Sequence, residues 1–119
     1  MLDKKIRSIG YALKGLRLAW REEFNFRLEI AFGICAVLLG IAFHLSAIEW
    51  LFVIGAIGIV LSAEALNTAL EELCDMLRPT HDSHVGKIKD LAAAGVFLAS
   101  VSAAIIGVII FIPHMFRFL

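Results

Sequence analysis

The apolar positions of this chain follow two different patterns. Between residues 4 and 24 they recur every three or four residues, at Ile6, Ile9, Leu13, Leu16, Trp20 and Phe24, with Lys and Arg on the remaining arc. This one-faced basic pattern predicts a surface helix over 4–24 that lies in a membrane interface, apolar side down, with Trp20 as an anchor. A helix packed on another subunit would carry the same stripe. Further along, the polar positions drop out. Ile30 to Phe43 holds no charged residue and the run continues through His44 to Leu45; Trp50 to Ala63 is likewise uncharged; Leu91 to Ile112 is free of both charge and proline. A helix needs about 20 apolar residues to cross a hydrocarbon core of ~30 Å. The third run meets that alone, and the first two meet it with flanking residues or with carboxylates inside the membrane. The pattern predicts membrane helices over 28–45, 48–71 and 91–112. A soluble chain of 119 residues could not cover three such segments.

Local signals divide these elements. Ser46-Ala47-Ile48-Glu49 has the capping-box pattern, which predicts a tight turn and a helix start near Ala47. Pro79, Asp82, Ser83 and Gly86 predict a loop over 78–88, and Pro113 an end to the third span. Gly33, Gly40, Gly55, Gly58, Gly95 and Gly107 fall in the spans, where small residues permit close helix contact, but none forms GxxxG. The chain reads as one membrane-embedded domain over 1–119, with no internal repeat.

Composition narrows the class. The hydrophobic fraction is 61 % and mean hydropathy is +0.88, which exclude a disordered chain. Eleven Lys and Arg balance eleven Asp and Glu, so the basic excess of a nucleic-acid binder is missing and no nucleic-acid partner is expected. Cys35 and Cys74 cannot build a disulfide framework. Lys and Arg are placed unevenly: Lys4, Lys5, Arg7, Lys14, Arg17, Arg21 and Arg27 precede the first span, none lies in 44–49, Arg78, Lys87 and Lys89 separate the second span from the third, and Arg117 follows. The positive-inside rule then predicts a cytoplasmic N-terminus and 72–90 segment, with the 44–49 turn and the C-terminus outside. A long basic amphipathic start is a poor fit to a cleavable signal peptide.

The chemistry concentrates where the second span ends. Glu64, Asn67, Glu71 and Asp75 are spaced by three, four and four, which places them within an arc of about 80° on one helix face. Like charges in a row repel, and an ionised carboxylate in hydrocarbon costs at least ~2.5 kcal/mol at mid-span. A divalent cation is the natural compensation, because hard cations such as Mg²⁺ take carboxylate oxygens and phosphate together. Glu72 points off the row and reads as solvated. Glu64 follows a long apolar run, and a carboxylate desolvated at that depth suits a general base facing a hydroxyl. Glu22, Glu23, Asn25, Arg27, Glu29, Lys87, Lys89 and Asp90 fall on the same side of the membrane in this topology and could converge with the row. Glu23 and Arg27 have i,i+4 spacing, which is equally consistent with a simple surface pair. Gly10 and Gly15 have Walker spacing but Leu16 stands where Lys is required, and neither HExxH nor GxSxG occurs. His81, Asp82 and His84 could bind a metal but read as a solvated cluster.

The row Glu64-Ala-Leu-Asn67-Thr-Ala-Leu-Glu71-x-x-x-Asp75, together with Lys89-Asp90 opening the small-residue stretch Leu91-Ala-Ala-Ala-Gly95, resembles the prokaryotic diacylglycerol kinase family. These are small integral-membrane lipid kinases that include undecaprenol kinases. Gly10-Tyr11-Ala12-x-x-Gly15-Leu16-x-x-Ala19-x-x-x-Glu23 and Phe26-Arg27 are similar to the same family, so the resemblance covers nearly the whole chain. It implies an all-α membrane protein: a homotrimeric bundle with three transmembrane helices and one amphipathic surface helix per subunit, in the bacterial cell membrane. It implies active sites shared between subunits at the cytoplasmic interface, which transfer the γ-phosphate of Mg-ATP to a lipid alcohol without a P-loop. By position Glu64 would be the general base, with Asn67 orienting the site. Glu23 and Glu71 would hold Mg²⁺ and the ATP phosphates. Asp75, Lys89 and Asp90 would contact the nucleotide, with Tyr11, Thr80, His81 and Asp82 near it. Arg17, Trp20, Asn25, Arg27 and Glu29 would line the approach of the lipid to Glu64. Lys4 stands where relatives commonly carry Arg, and Ala93 where some carry Ser; both positions belong to the lipid side. The family's name activity points to diacylglycerol as acceptor and phosphatidic acid as product, with undecaprenol as the alternative. An ion or proton transporter would also carry intramembrane carboxylates, but would not need a basic surface helix and Lys89-Asp90 at the same depth. A membrane scaffold would have no use for the carboxylate row.

Overall fold

The computed structural model describes residues 1–77 and 83–119. The described residues form four α-helices: α1 (Leu2–Glu22), α2 (Phe24–Ala42), α3 (Ala47–Leu77) and α4 (Ser83–Phe118). Helices α2, α3 and α4 are each long and apolar enough to cross a membrane. At 1.5 Å per residue they measure roughly 28, 46 and 54 Å, so α3 and α4 outreach a ~30 Å hydrocarbon core and project from it. Helix α3 is the centre of the fold. It packs along α4, less extensively on α2, and meets α1 at the end that carries the acidic row.

The α2–α3 turn is built from two local motifs. Helix α2 stops at Ala42 rather than near 45, because its C-terminus closes in a Schellman arrangement. His44 N–H reaches Ile41 O at 3.2 Å, Leu45 N–H reaches Gly40 O at 3.1 Å, and His44 takes the left-handed conformation at φ 54°. The expected capping box follows at once: Ser46 N–H donates to Glu49 Oε1 at 3.0 Å and Glu49 N–H donates to Ser46 Oγ at 3.2 Å.

Two boundaries differ from the sequence expectation. Ser83 and Gly86, read as loop, lie inside α4, and α4 continues through Pro113 to Phe118 instead of ending there. A proline removes one helical hydrogen bond, but the turns beyond it are held from outside. His114 Nε2 lies 2.9 Å from Glu49 Oε2, and its ring stacks on Phe43 at 5.9 Å and 7°. Phe111 and Phe118 flank the same Phe43 ring.

The apolar core sits at this turn end of the bundle, where Leu45, Val53 and Ile110 are buried among Phe43, Trp50, Ile57 and Phe111. Gly33 and Gly40 are the glycines that make close packing possible. A Cβ on Gly40 would lie 2.7 Å from the Trp50 ring, and one on Gly33 would lie 3.2 Å from Ile57. Gly55, Gly58, Gly95 and Gly107 face open space in the single chain, so they do not bring its own helices together. An apolar groove of about 470 Å³ runs over α3 between α2 and α4, lined by Phe32, Val60, Ala103 and Ala104, with Glu29 and Ser100 its polar members.

Candidate active site

Glu64 is the centre of the site. It lies seventeen residues after the first residue of α3, roughly 26 Å along the helix and so near the far boundary of a ~30 Å core. It is 4 % exposed, the one buried charged side chain among the described residues. The rest of the row continues outward. Glu71 is half-buried, while Glu72 and Asp75 are exposed.

Carboxylates from two helices and from the elbow between α1 and α2 gather here. Glu23 and Glu71 lie close enough to Glu64 for direct like-charge repulsion, and Glu29 is coupled to Glu64 in the same way. Glu23 occupies the elbow between α1 and α2, in extended geometry at φ −111° and ψ 109°. Its half-buried side chain belongs to the acidic cluster. The spacing with Arg27 suggested a possible surface pair, but the Arg27 guanidinium goes elsewhere, to the carbonyls of Trp20 at 2.7 Å and Arg21 at 3.1 Å.

Neighbours fix the orientation of the row. Asn67 Nδ2 donates to Glu71 Oε1 at 3.1 Å, and Thr68 Oγ1 donates to the Glu64 carbonyl at 3.0 Å. Lys89, from α4, donates to Asp75 Oδ1 at 2.6 Å, so one cation stands beside the outer end of the row. Among the described residues, Asn67 Oδ1 and Glu29 Oε2 are buried oxygens without a hydrogen-bond partner. A buried acceptor left unsatisfied costs about 1–3 kcal/mol, so both positions suit a ligand that donates or carries positive charge.

The donor set fits a hard cation only in part. No group of three or more His, Cys, Asp or Glu side chains among the described residues is gathered tightly enough to hold a metal unaided. Two carboxylates with phosphate oxygens and water completing the shell is the ordinary arrangement for Mg²⁺ with a nucleotide, and the carboxylates near Glu64 are donors of that kind.

Of the residues singled out from sequence, the fold gathers Glu23, Glu29, Glu64, Asn67, Glu71, Asp75 and Lys89 at one end of one chain. Asp90, Asn25 and Ala93 are exposed close by in sequence to these. Lys4, Tyr11 and Arg17 are exposed on α1, with Tyr11 roughly 17 Å and Lys4 roughly 27 Å along the helix from its last residue. Thr80, His81 and Asp82 lie outside the described residues. Sequence reasoning missed the Asp75–Lys89 pair, the Thr68 bond to Glu64 and the carbonyl contacts of Arg27. For the last a signal existed: an arginine at the start of an apolar helix, directly after another helix has ended.

Fold and site together define an all-helical membrane protein with an acidic, lysine-flanked centre at one end of its bundle. Residues 10–111 match the family model described as prokaryotic diacylglycerol kinase. The chain is 36 % identical over 115 residues to the undecaprenol kinase of Bacillus subtilis, covering 96 % of this chain and 93 % of that protein. It is 32 % identical over 109 residues to the diacylglycerol kinase of Escherichia coli K12, covering 92 % and 89 %, and 34 % identical over 100 residues to that of Haemophilus influenzae, covering 82 % and 83 %. The chain belongs to the prokaryotic diacylglycerol kinase family.

Proposed function

We propose that the chain is a lipid kinase that transfers the γ-phosphate of Mg-ATP to the hydroxyl of a membrane lipid at the cytoplasmic boundary. The observation that carries this reading is the buried Glu64 at the hydrocarbon edge with Glu23, Glu29 and Glu71 around it. The acceptor hydroxyl approaches from the hydrocarbon side and gives its proton to Glu64 as its oxygen attacks the γ-phosphorus. The new P–O bond forms as the bond to the leaving ADP oxygen breaks, and Glu64 then releases its proton to the cytoplasm. Mg²⁺, held by Glu23 and Glu71, would neutralise charge on the β- and γ-phosphates. Asn67 holds the Glu71 carboxylate in place, and Asp75 holds Lys89 where its charge meets the phosphates. The distribution of Lys and Arg supports the orientation, with N-terminus inside and C-terminus outside.

Two acceptors belong to this reading. The family's name activity favours diacylglycerol. Two observations support undecaprenol: of the three relatives named, the undecaprenol kinase shows the highest identity and coverage, and the groove leading to Glu29 is apolar apart from Glu29 and Ser100. A bare polyprenol alcohol needs no partners for ester carbonyls, whereas a diacylglycerol brings two. Purified protein given Mg-ATP with each acceptor in parallel tests this. Phosphorylated undecaprenol is expected as the faster product. Phosphatidic acid as the faster product reverses the order, and failure to phosphorylate either lipid overturns the kinase reading.

A further inference from the structure

The elbow between α1 and α2 carries Glu23, yet Glu22-Glu23-Phe24, where the bend falls, has no turn-forming residue. Glu22-Glu23-Phe24-Asn25-Phe26 contains neither Gly nor Pro, and it sets two like charges side by side. Nothing local dictates a bend between two helices at that position, so tertiary contacts must hold it. Two are present. Phe26 is 2 % exposed and anchors the first turn of α2. Arg27 reaches back across the elbow with one guanidinium nitrogen, which donates to Trp20 O at 2.7 Å and to Arg21 O at 3.1 Å. Glu23 N–H closes the carbonyl of Ala19 at 2.9 Å. Three of the last four carbonyls of α1 are therefore satisfied, two of them by one side chain from the next helix. A cation at a helix C-terminus also meets the negative end of the helix dipole.

We propose that Arg27 is a positioning residue, which by binding the last carbonyls of α1 fixes the elbow and so holds the Glu23 carboxylate beside Glu64 and Glu71. The family resemblance places Arg27 along the path of the lipid instead. The two roles differ in what they affect: a lipid contact sets the apparent affinity for the acceptor, whereas an elbow brace sets the geometry of the site that receives Mg-ATP. This inference rests on the kinase reading above. Its failure is separable, because a wild-type chain that phosphorylates no lipid overturns that reading, whereas the results below decide the role of Arg27 in an active enzyme.

The test uses Arg27→Gln and Arg27→Lys in the full-length chain. Lysine can keep one charge-assisted bond to a carbonyl; the glutamine amide has no charge. One readout needs no catalysis. Nitroxides at Lys14→Cys on α1 and Leu98→Cys on α4, in a Cys35→Ser, Cys74→Ala background diluted with unlabelled chain, report the α1 angle. The distance distribution is expected to be narrow with arginine, broad in Arg27→Gln and intermediate in Arg27→Lys. The second readout is kinetic. The KM for Mg-ATP is expected to rise roughly tenfold in Arg27→Gln, with partial rescue in Arg27→Lys, while the KM for the lipid stays within about twofold. An unchanged distance distribution, or a raised lipid KM with the Mg-ATP KM unaltered, overturns the proposal. Should Arg27→Gln not fold, Arg27→Lys carries both readouts with the same deciding outcomes.

Discussion

Glu64 is where burial and chemistry meet, and the substitution that separates them is Glu64→Gln. The amide keeps the volume of a side chain that is 4 % exposed and removes its basicity. Loss of a positioned general base costs typically 10²–10⁴-fold in rate, so kcat for lipid phosphorylation is expected to fall by about that factor. The thermal midpoint in detergent is expected to hold or rise, because a neutral amide costs less to bury than a carboxylate and adds no repulsion with Glu23 and Glu71. A Glu64→Gln enzyme of full activity would remove the base assignment. Glu71 carries a different load. Its Oε1 accepts the Asn67 amide, and in the proposed mechanism it holds the cation together with Glu23. Glu71→Ala is expected to raise the Mg²⁺ concentration required for half-maximal rate by roughly tenfold or more, the loss of one charged ligand. A titration of rate against free Mg²⁺ at fixed ATP measures it, and an unshifted curve would count against the ligand role.

Among the elements, the α2–α3 turn makes the most specific stability statement. His44 holds φ 54°, a conformation that costs an L-residue roughly 1–2 kcal/mol and glycine little. Its ring is exposed, so His44→Gly removes strain without opening the core. The variant is expected to gain about 1 kcal/mol, read as a higher thermal midpoint in detergent. His114→Ala is expected to act the other way, since it deletes the 2.9 Å contact to Glu49 and the stacking on Phe43 that hold α4 beyond Pro113. These elements also show what a sequence can disclose. The long apolar runs, the Ser46–Glu49 capping box and the row from Glu64 to Asp75 were legible, because hydrophobic period, capping chemistry and helical spacing are local properties of the chain. Three features were not. The end of α2 at Ala42 depends on a left-handed His44, where no glycine marks the stop. The passage of α4 through Pro113 depends on Phe43 and Glu49, both remote in sequence. The elbow at Glu23 depends on Arg27 folding back onto α1. The Pro113 passage is decided by partners remote in sequence, whereas the other two turn on one residue's conformation or reach within a few positions.

At the scale of the whole molecule, the single chain buries little of its apolar surface. Among the described residues its buried hydrophobic set is Ala19, Phe26, Leu45, Val53, Cys74 and Ile110, while large apolar side chains cover the outer faces of α2, α3 and α4. Lipid tails can cover such faces, but they cannot supply the missing side of a nucleotide site. Tyr11 sits on the exposed α1, roughly 17 Å along the helix from its last residue, whereas Glu64 and Glu71 share one helix. A homotrimer, which the family resemblance implies, would let α1 of one subunit complete the site on α3 of the next. Subunit mixing tests this directly. Glu64→Gln and Glu71→Ala chains, co-assembled, are expected to stay inactive, because no single α3 in the mixture holds both carboxylates. Glu64→Gln mixed with Tyr11→Ala is expected to regain activity in about one quarter of sites under random assembly, since half of the α3 donors and half of the neighbouring α1 donors are intact. Equal recovery in both mixtures would show that α3 residues of different subunits meet in one site. Recovery in neither would show that each chain builds its site alone.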